Sequence, residues 1–393
     1  MKILGGKILY NIHTLNKISD KGLQELGEAY KVIDTVEGAD AILVRSAKMH
    51  DMTLPESVLA IARAGAGVNN IPIDAYAEKG IVVFNTPGAN ANAVKELVLC
   101  GLLLASRKVV EGINWSKTLK EDVAKAVEKG KGSFAGQEIL GKKLGVIGLG
   151  AIGVMVANAA QALGMEVIGY DPYISVDAAW GLSRHIKHAT TLDEVYSQSD
   201  YITVHVPLLN STKHMLNKEA FAKMKTGVTV LNFSRDTLVE NNDLKAALDE
   251  GKVSTYVTDF PIEEVLGHDQ IITIPHLGAS TEESEENCAV MAAKEIKDYL
   301  EQGNITHSVN YPECQMPWNG STRIAIAHKN IPAILGKITA VIADASMNIQ
   351  DMTNRSRGEY AYTLIDVAEG TSEEVVKAIE AIDHIIKVRY LTK

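Results

Sequence analysis

The sequence Leu144-Gly145-Val146-Ile147-Gly148-Leu149-Gly150-Ala151-Ile152-Gly153 is an apolar run that breaks into three glycines, and Asp171 follows eighteen residues after the last of them. The run predicts a short buried strand that ends in a turn and continues as a helix. Gly148 permits the tight turn, Gly150 has no side chain to hold off a diphosphate, and Gly153 lets the helix lie close to the sheet. The start of the helix then faces the diphosphate. This stretch therefore predicts a dinucleotide-binding unit.

The residues after this turn predict which dinucleotide is bound. An uninterrupted helical run, Met155–Leu163, is followed by a second strand, Glu166–Asp171. Asp171 ends that strand where the ribose of adenosine presents its hydroxyl groups, and its carboxylate would repel the ribose phosphate of NADP. A glycine-rich turn with only a packing role is the alternative, but strand, helix, second strand and acid occur in the required order. We therefore expect NAD as the cofactor.

The composition excludes several classes of protein. The 393 residues are 46% hydrophobic and 22% charged, with a net charge of -10, and a chain of this length is expected to form two or three domains. No basic stripe is present to neutralise phosphates, so we expect no nucleic-acid partner. Cys100, Cys288 and Cys314 are not clustered, which predicts neither a disulfide framework nor a metal site. Because the sequence shows no signal-peptide core and no run of about 18 apolar residues, we expect a cytoplasmic protein without a membrane partner.

The chain divides into segments that differ in composition and in residue pattern. Residues 1–92 alternate short predicted strands with helices, an order typical of a parallel sheet. This segment contains no phosphate-binding loop. Residues 93–282 contain further short apolar strands without hairpin turns, as buried parallel strands do. A charged, glycine-containing arm within them, residues 117–136, has too little apolar surface to pack alone. It is interpreted either as a contact with a partner subunit or as an exposed helical insertion.

The C-terminal part of the chain predicts a separate module. Residues 320–393 follow the order strand, helix, strand, strand, helix, strand, which is typical of a small ferredoxin-like domain. Residues 311–320 contain two prolines and a glycine and predict a linker before it. The turn Ser356–Glu359 predicts a hairpin, and Thr371 with Glu374 predicts a helix cap.

Polar residues that follow predicted strands are the candidates for chemistry, because ligands of open α/β sheets bind at that edge. Arg235, His276 and the pair Asp259 and Glu264 each come after an apolar run. Hydride transfer between an alcohol and NAD needs a base for the hydroxyl proton and a cation for the α-carboxylate of the substrate. It also needs a group that keeps the pKa of the base high enough. Each residue alone has a plainer alternative: a surface ion pair for the arginine, a structural role for the histidine, a loop cap for Asp259, and a solvated side chain for Glu264 beside Glu263.

Five motifs carry a family resemblance that extends over nearly the whole chain. They are Gly148–Gly153, His205–Leu208, Asn232–Arg235, Asp259–Glu264 and Pro275–Thr281, which read GLGAIG, HVPL, NFSR, DFPIEE and PHLGAST. Together they resemble the D-isomer-specific 2-hydroxyacid dehydrogenases. The resemblance implies an α/β protein with two Rossmann-like domains, each a doubly wound parallel sheet, and NAD as cofactor.

The resemblance also implies roles for the polar residues after the strands. Arg235 would bind the carboxylate and keto oxygen of the substrate, His276 would be the acid and base, and Glu264 would be the partner of His276. Asp259 would meet the carboxamide of nicotinamide. The choice of Glu264 over its neighbour rests on its distance from Arg235 along the chain, because a valine follows it where the family has a proline.

Two larger sets of residues are implied to bind cofactor and substrate. The expected cofactor-binding residues are Gly148, Gly150, Ala151, Ile152, Gly153, Asp171, Pro207, Ser234, Asp259, His276 and Gly278. The expected substrate-binding residues are Arg45, Ser46, Gly67, Asn90 and Arg235. Within residues 1–92, Arg45 and Ser46 end a strand-like run, and Gly67 and Asn90 lie in glycine-rich and turn-rich loops.

The resemblance sets the expected domain boundaries. The substrate-binding domain would be discontinuous, with residues 1–92 and 283–310 on either side of an NAD-binding domain of residues 93–282. Residues 320–393 resemble an ACT domain, a module that senses amino acids.

The ACT resemblance implies an effector. The positions of His328, Asn330 and Asn348 correspond to residues that hold serine between paired modules, so L-serine is the expected effector. We expect these three residues to lie at the ends of adjacent strands of the small sheet. Ala333 stands where a glycine is usual.

The activity implied is the NAD-dependent oxidation of 3-phospho-D-glycerate to 3-phosphohydroxypyruvate, the entry step of serine synthesis. One alternative is another D-2-hydroxyacid dehydrogenase, such as a glyoxylate or hydroxypyruvate reductase. A second is a binding protein that senses NAD(H) on the same scaffold. A homodimer or homotetramer is expected.

Overall fold

The computed structural model describes residues 2–4, 7–368 and 373–392. The predicted cap residue Thr371 lies outside the described residues. The chain divides into two compact units, one formed by Met1–Asn90 with Glu285–Lys393 and the other by Ala91–Ser284. None of the helices within the described ranges is both long and apolar enough to cross a membrane.

The helices and strands occur in an alternating order along most of the chain. In residues 1–90 they are β1 (Lys2–Leu4), β2 (Lys7–Thr14), α1 (Asp20–Leu26), β3 (Tyr30–Ile33), β4 (Ala41–Val44), β5 (Ala60–Arg63), α2 (Ile73–Glu78) and β6 (Val82–Asn85). In residues 91–284 they are α3 (Ala91–Arg107), α4 (Val109–Ser116), α5 (Val123–Gly130), β7 (Lys143–Ile147), α6 (Ala151–Ala162), β8 (Glu166–Tyr170), α7 (Val176–Gly181), β9 (Lys187–His188), α8 (Leu192–Gln198), β10 (Tyr201–Val204), α9 (Lys218–Lys223), β11 (Val228–Asn232), α10 (Asn241–Asp249), β12 (Val253–Thr258) and β13 (Ile271–Thr273). They are followed by α11 (Glu282–Gln302), β14 (Thr322–Lys329), α12 (Ile334–Asp344), β15 (Ile349–Arg357), β16 (Tyr360–Val367), α13 (Glu373–Glu380) and β17 (Ile385–Thr392).

The unit Ala91–Ser284 is built on a seven-stranded sheet in the order β13-β12-β11-β10-β7-β8-β9. All neighbouring strands are parallel. Every residue of β10 and β11 is buried, as expected for strands covered by helices on both faces. The predicted doubly wound parallel sheet is thus confirmed for this part of the chain.

The other unit contains a second sheet, in the order β1-β2-β4-β5-β6 with β3 beside β2. Its strands are parallel except for β1, which is antiparallel to β2. Helix α11 packs on this sheet through Ala292, Ile296 and Tyr299, all buried with residues of β2 and β6 in one core. The sequence of β5, Ala-Ile-Ala-Arg, is short and has little β-branched character, so its local pattern does not predict a strand.

The C-terminal residues form an antiparallel sheet in the order β15-β16-β14-β17. The predicted order of strands and helices is confirmed. Helices α12 and α13 cover one face, where Ile338 and Ile379 pack with Ile324 and Ile365. The other face contributes Tyr362 and its neighbours to the core that contains α11.

Residues 311–320 do not form a free linker, contrary to the prediction. Tyr311, Cys314 and Met316 are buried in the core of the unit that contains them. The Tyr311 hydroxyl donates to the carbonyl of Ala77 at 2.7 Å. The prolines of this segment therefore shape a packed connection, which composition alone does not distinguish from an exposed one.

Two arginines of the C-terminal sheet satisfy the last carbonyl groups of α11. Arg389 donates to the carbonyls of Tyr299 and Leu300 at 3.2 and 2.9 Å. Arg323 donates to the carbonyl of Gln302 at 3.0 Å and pairs with Asp366, and neither side chain of that pair is exposed. Cations at this end of a helix also oppose its dipole. Residues 320–393 accordingly lie in the same compact unit as residues 1–90.

Candidate active site

The glycine turn after β7 has the predicted geometry. Gly148 has φ of +90°, and a Cβ atom there would lie 2.5 Å from the carbonyl oxygen of His205. A Cβ atom on Gly153 would lie 1.9 Å from the carbonyl oxygen of Gly148. Both positions therefore exclude any other residue. A Cβ atom on Gly150 would meet no atom within 4 Å, so open space lies beside the start of α6.

Asp171 follows β8 and is tied to the glycine turn. Its Oδ2 accepts a hydrogen bond from the Leu149 N–H, and its Oδ1 accepts one from the Tyr173 N–H, both at 2.8 Å. Strands β7 and β8 are neighbours, so the carboxylate stands at the same edge of the sheet as the turn. Ala151 and Ile152 begin α6 at that edge. These residues fit a dinucleotide whose ribose hydroxyls donate to Asp171.

Buried Asn232 shapes the segment that carries Ser234 and Arg235. Its amide nitrogen donates to the Arg235 carbonyl at 2.8 Å, and its Oδ1 accepts from the Ser234 N–H at 3.1 Å. The Ser234 hydroxyl donates to the Val204 carbonyl at 2.7 Å, which joins the ends of β11 and β10. Asn232 belongs to the NFSR motif, but the sequence analysis assigns it no role. An asparagine at the end of an apolar strand is the signal that indicates such a role.

Arg235 follows β11 and has an exposed side chain. Its Nη1 donates to the carbonyl of Ser234 at 2.6 Å. Since this contact uses one donor of the guanidinium, the others can bind an anionic ligand.

Asp259 is the buried carboxylate of the site. It follows β12, is 1% exposed, and accepts a hydrogen bond from the Gly278 N–H at 3.1 Å through Oδ2. Its Oδ1 is buried and has no hydrogen-bond partner among the described residues. Burial raises the pKa of this carboxyl, against the lowering effects of His276, the Gly278 N–H and Arg235. An unpaired acceptor of this kind fits the amide donor of a nicotinamide carboxamide.

His276 stands beside Asp259, and Glu264 does not join it. The imidazole is exposed and packs on the Phe260 ring with 4.7 Å between ring centroids. Within the described residues no hydrogen bond connects it to Glu264 or Glu263, both of which are exposed. Val265, which stands where the family has a proline, is 2% exposed. This buried side chain anchors the turn before β13, so both glutamates point to solvent.

His205 lies next to the glycine turn and is neutral. Burial lowers its pKa to about 3. Its Nε2 contacts the Thr203 hydroxyl at 3.0 Å. Pro207 follows, and its carbonyl accepts from the Thr212 hydroxyl at 2.6 Å. The His205 N–H donates to the Ile147 carbonyl at 2.7 Å, which holds the end of β10 against β7.

The expected substrate residues of the first segment lie in the other unit. Arg45 and Ser46 follow β4, and Arg45 Nη2 pairs with Glu285 at 2.6 Å. Gly67 lies in the irregular segment after β5, and Asn90 lies in the turn before α3. Arg45, Ser46 and Gly67 therefore follow neighbouring parallel strands of one sheet.

The expected effector residues are not all brought together within one chain. His328 is 1% exposed, and its ring nitrogens contact the Lys329 carbonyl and the Thr363 hydroxyl, both at 2.8 Å. Asn330 donates to the Gly358 carbonyl at 3.1 Å, at the same end of the sheet. Asn348 precedes β15 at the opposite end.

The expectation that these residues end adjacent strands is wrong, because β16 lies between β14 and β15. The physical reason is the crossover through α12. It returns the chain to the starting end of β14, so β15 runs parallel to β14.

The fold and the carboxyl-edge residues define a dinucleotide-dependent dehydrogenase unit. Residues 100–278 match the family model of the D-isomer specific 2-hydroxyacid dehydrogenase, NAD binding domain. The chain is 32% identical to the D-3-phosphoglycerate dehydrogenases of Haemophilus influenzae and Escherichia coli, over 85% and 86% of its length and 81% and 82% of theirs. It therefore belongs to the D-isomer specific 2-hydroxyacid dehydrogenases, and the prediction of NAD as cofactor is confirmed.

Other relatives extend the comparison. The chain is 33% identical to a Methanocaldococcus jannaschii D-3-phosphoglycerate dehydrogenase but spans 64% of that protein's length. A solved NAD+-bound 3-phosphoglycerate dehydrogenase from Entamoeba histolytica has a TM-score of 0.58 and 25% identity, and covers 77% of this chain and 99% of its own. A Paecilomyes thermophila glyoxylate reductase has a TM-score of 0.61 at 24% identity over 77% of this chain and 98% of its own, a likeness of fold.

The position of Asp171 predicts that its substitution weakens the preference for NAD over NADP. Asp171→Ala removes a charged acceptor, so we expect the affinity for NAD to fall about 10- to 100-fold and the preference over NADP to narrow. The ratio of kcat/KM values for the two cofactors measures this. Asp171→Asn keeps an oxygen that can accept a hydrogen bond from the Leu149 N–H. This variant therefore removes the charge while it preserves the conformation of the glycine turn. An unchanged ratio in both variants would place selectivity elsewhere.

Proposed function

We propose that this protein catalyses the NAD-dependent oxidation of the C2 hydroxyl of 3-phospho-D-glycerate to 3-phosphohydroxypyruvate. The observation that carries this proposal is the set formed by Arg235, Asp259 and His276 at the edge of the sheet that holds the glycine turn. The names of the relatives that match most of the chain support the substrate.

Each residue of the set has a role that its contacts allow. His276 is exposed and takes the proton of the C2 hydroxyl. Arg235 donates to the substrate carboxylate and to the oxygen that becomes the keto group. Asp259 accepts from the nicotinamide carboxamide through Oδ1. When bound, NAD accepts the hydride from C2, so the substrate loses two electrons and two hydrogens. We assign the carboxylate partner of His276 in the working complex to Glu264.

A substrate panel tests the proposed function. Turnover is measured with NAD and 3-phospho-D-glycerate, and in reverse with NADH and 3-phosphohydroxypyruvate, glyoxylate and hydroxypyruvate. We expect the highest kcat/KM for the phosphorylated pair. Faster reduction of glyoxylate would favour the reductase alternative. Absence of turnover with tight NADH binding would favour an NAD(H) sensor.

We further propose that residues 320–393 form an ACT domain that binds L-serine between two copies of the chain. The βαββαβ order supports the module. Asn348 lies at the opposite end of the sheet from His328 and Asn330, so a site that uses all three must draw them from two chains. Ala333 adopts φ of +63° before α12, a left-handed conformation that costs an alanine about 1 to 2 kcal/mol.

Calorimetry tests the effector site. We expect L-serine to bind the intact protein and to change its affinity for substrate about 5- to 150-fold, the usual size of coupling between sites. The double variant Asn330→Ala with Asn348→Ala should lose the heat of binding. Unchanged heat in that variant would exclude these residues, and no heat with the wild-type protein would exclude serine.

We propose that a second copy of the chain covers α4 and the following arm of residues 117–136, which contains α5. Neither helix contains a buried residue, and Ile113 and Val123 are each 48% exposed. Trp115 of α4 packs against Phe134 of the arm, with 5.1 Å between the ring centroids. Sedimentation measures the oligomeric state of the wild-type protein and of Ile113→Ser. We expect a dimer or tetramer for the wild-type protein and a weaker association of subunits for the variant.

A further inference from the structure

One side chain holds the loop that contains two of the expected substrate residues. Asn16 lies just beyond β2, the neighbour of β4 in the sheet. Its Oδ1 accepts hydrogen bonds from the N–H groups of Arg45, Ser46 and Ala47, each at 3.0 Å. Three successive amide groups therefore converge on a single oxygen atom.

This convergence fixes the backbone of the loop. Successive N–H groups that point to one side form a concavity that binds an oxygen or an anion. Asn16 fills that concavity and pairs donors that the end of β4 would leave without a partner. Its amide is neutral, so the loop gains an acceptor without a negative charge beside Arg45, which already pairs with Glu285.

The carbonyl groups of the same loop are held as well. Arg63 Nε donates to the Arg45 carbonyl at 3.0 Å. The amide nitrogen of Asn70 donates to the Ala47 carbonyl at 2.8 Å. The loop is thus tied through its N–H groups by Asn16 and through its carbonyls by residues after β5, which leaves it one backbone conformation.

We propose that Asn16 is a positioning residue for substrate binding, acting through the loop Arg45–Ala47. A loop that is already ordered loses less conformational freedom when a substrate binds to it. This inference rests on the proposed function and refines it, because it identifies the side chain that holds the loop of two expected substrate-binding residues, Arg45 and Ser46.

Kinetics test the effect on substrate binding. Asn16→Ala removes the shared acceptor, and we expect the KM for 3-phospho-D-glycerate to rise about tenfold or more, with kcat and the KM for NAD within about twofold of wild type. Asn11→Ala is the matched control. Asn11 lies on β2 itself, and its amide nitrogen donates to the Gly38 carbonyl, which precedes β4 at the opposite end of the sheet. An equal rise in KM in the control would overturn the inference.

Amide hydrogen exchange tests the loop without activity. We expect the amides of Arg45–Ala47 to exchange faster in Asn16→Ala, but not in Asn11→Ala or in Asn16→Asp, which keeps an oxygen acceptor. Wild-type exchange in Asn16→Ala would overturn the positioning role. Failure of the proposed function gives a different result, since the wild-type protein would then not turn over 3-phospho-D-glycerate, whatever the exchange rates.

Discussion

His276→Ala is expected to lower kcat by about 10² to 10⁴ while NAD affinity stays close to that of the wild-type protein, because general acid and base catalysis contributes rate enhancements of this size. The imidazole is exposed at the carboxyl edge of the sheet, and its ring packs on Phe260 with 4.7 Å between centroids. The substitution removes the proposed proton acceptor and leaves the glycine turn and Asp171 in place. Steady-state kinetics in both directions and NADH titration measure the two quantities.

His268→Ala is the matched control for this variant. His268 belongs to the turn before β13, and its Nε2 lies 3.6 Å from the Asp249 carboxylate. The substitution removes an imidazole from the same part of the chain without touching the proposed base, so kcat should stay near that of the wild-type protein. Equal kcat values for the two variants would remove His276 from the catalytic role.

Arg235→Ala is expected to lower kcat by about 10² to 10³ and to raise the KM for 3-phospho-D-glycerate as well. In its proposed role the guanidinium binds both the carboxylate of the substrate and the oxygen that becomes the keto group, so substrate affinity and turnover should fall together. Asn232 positions the backbone that carries it, and that contact is to the Arg235 carbonyl. The variant should therefore keep the local fold, as circular dichroism and NADH binding can check.

Two further variants separate charge from geometry at this position. Arg235→Lys keeps the positive charge but has no planar fork, so it should recover substrate affinity more than kcat. Arg184→Ala removes another exposed guanidinium of the same unit and should leave both constants unchanged. A wild-type kcat/KM in Arg235→Ala would show that another cation binds the substrate.

The proposed catalytic set was predictable in part from the sequence. Arg235, Asp259 and His276 each follow an apolar strand, and parallel strands place such residues at one edge of a sheet. The carboxylate beside His276 was not predictable. The resemblance implies Glu264 as the partner of His276, whereas in this structure Asp259 lies beside the imidazole and Glu264, next to buried Val265, is exposed. Side-chain burial decides the path of such a turn, and spacing along the chain does not reveal it.

The sequence by itself determined the features that depend on neighbouring residues. The turn at Gly148 and the close packing at Gly153 follow from the absence of a Cβ atom, which is a local property. The sequence predicts strands over Val253–Thr258 and Tyr360–Val367, and β12 and β16 begin and end at these residues. These features need no knowledge of distant contacts.

Only the tertiary structure decided the contacts between residues far apart in the chain. Asn16 reaches the loop after β4 because β2 and β4 are parallel neighbours, a pairing that no local pattern encodes. Asn348 is separated from His328 because a crossover helix returns the chain to the other end of the sheet. Hydrogen bonds and burial act over a few ångströms in space whatever the separation in sequence, so the path of the folded chain selects these partners.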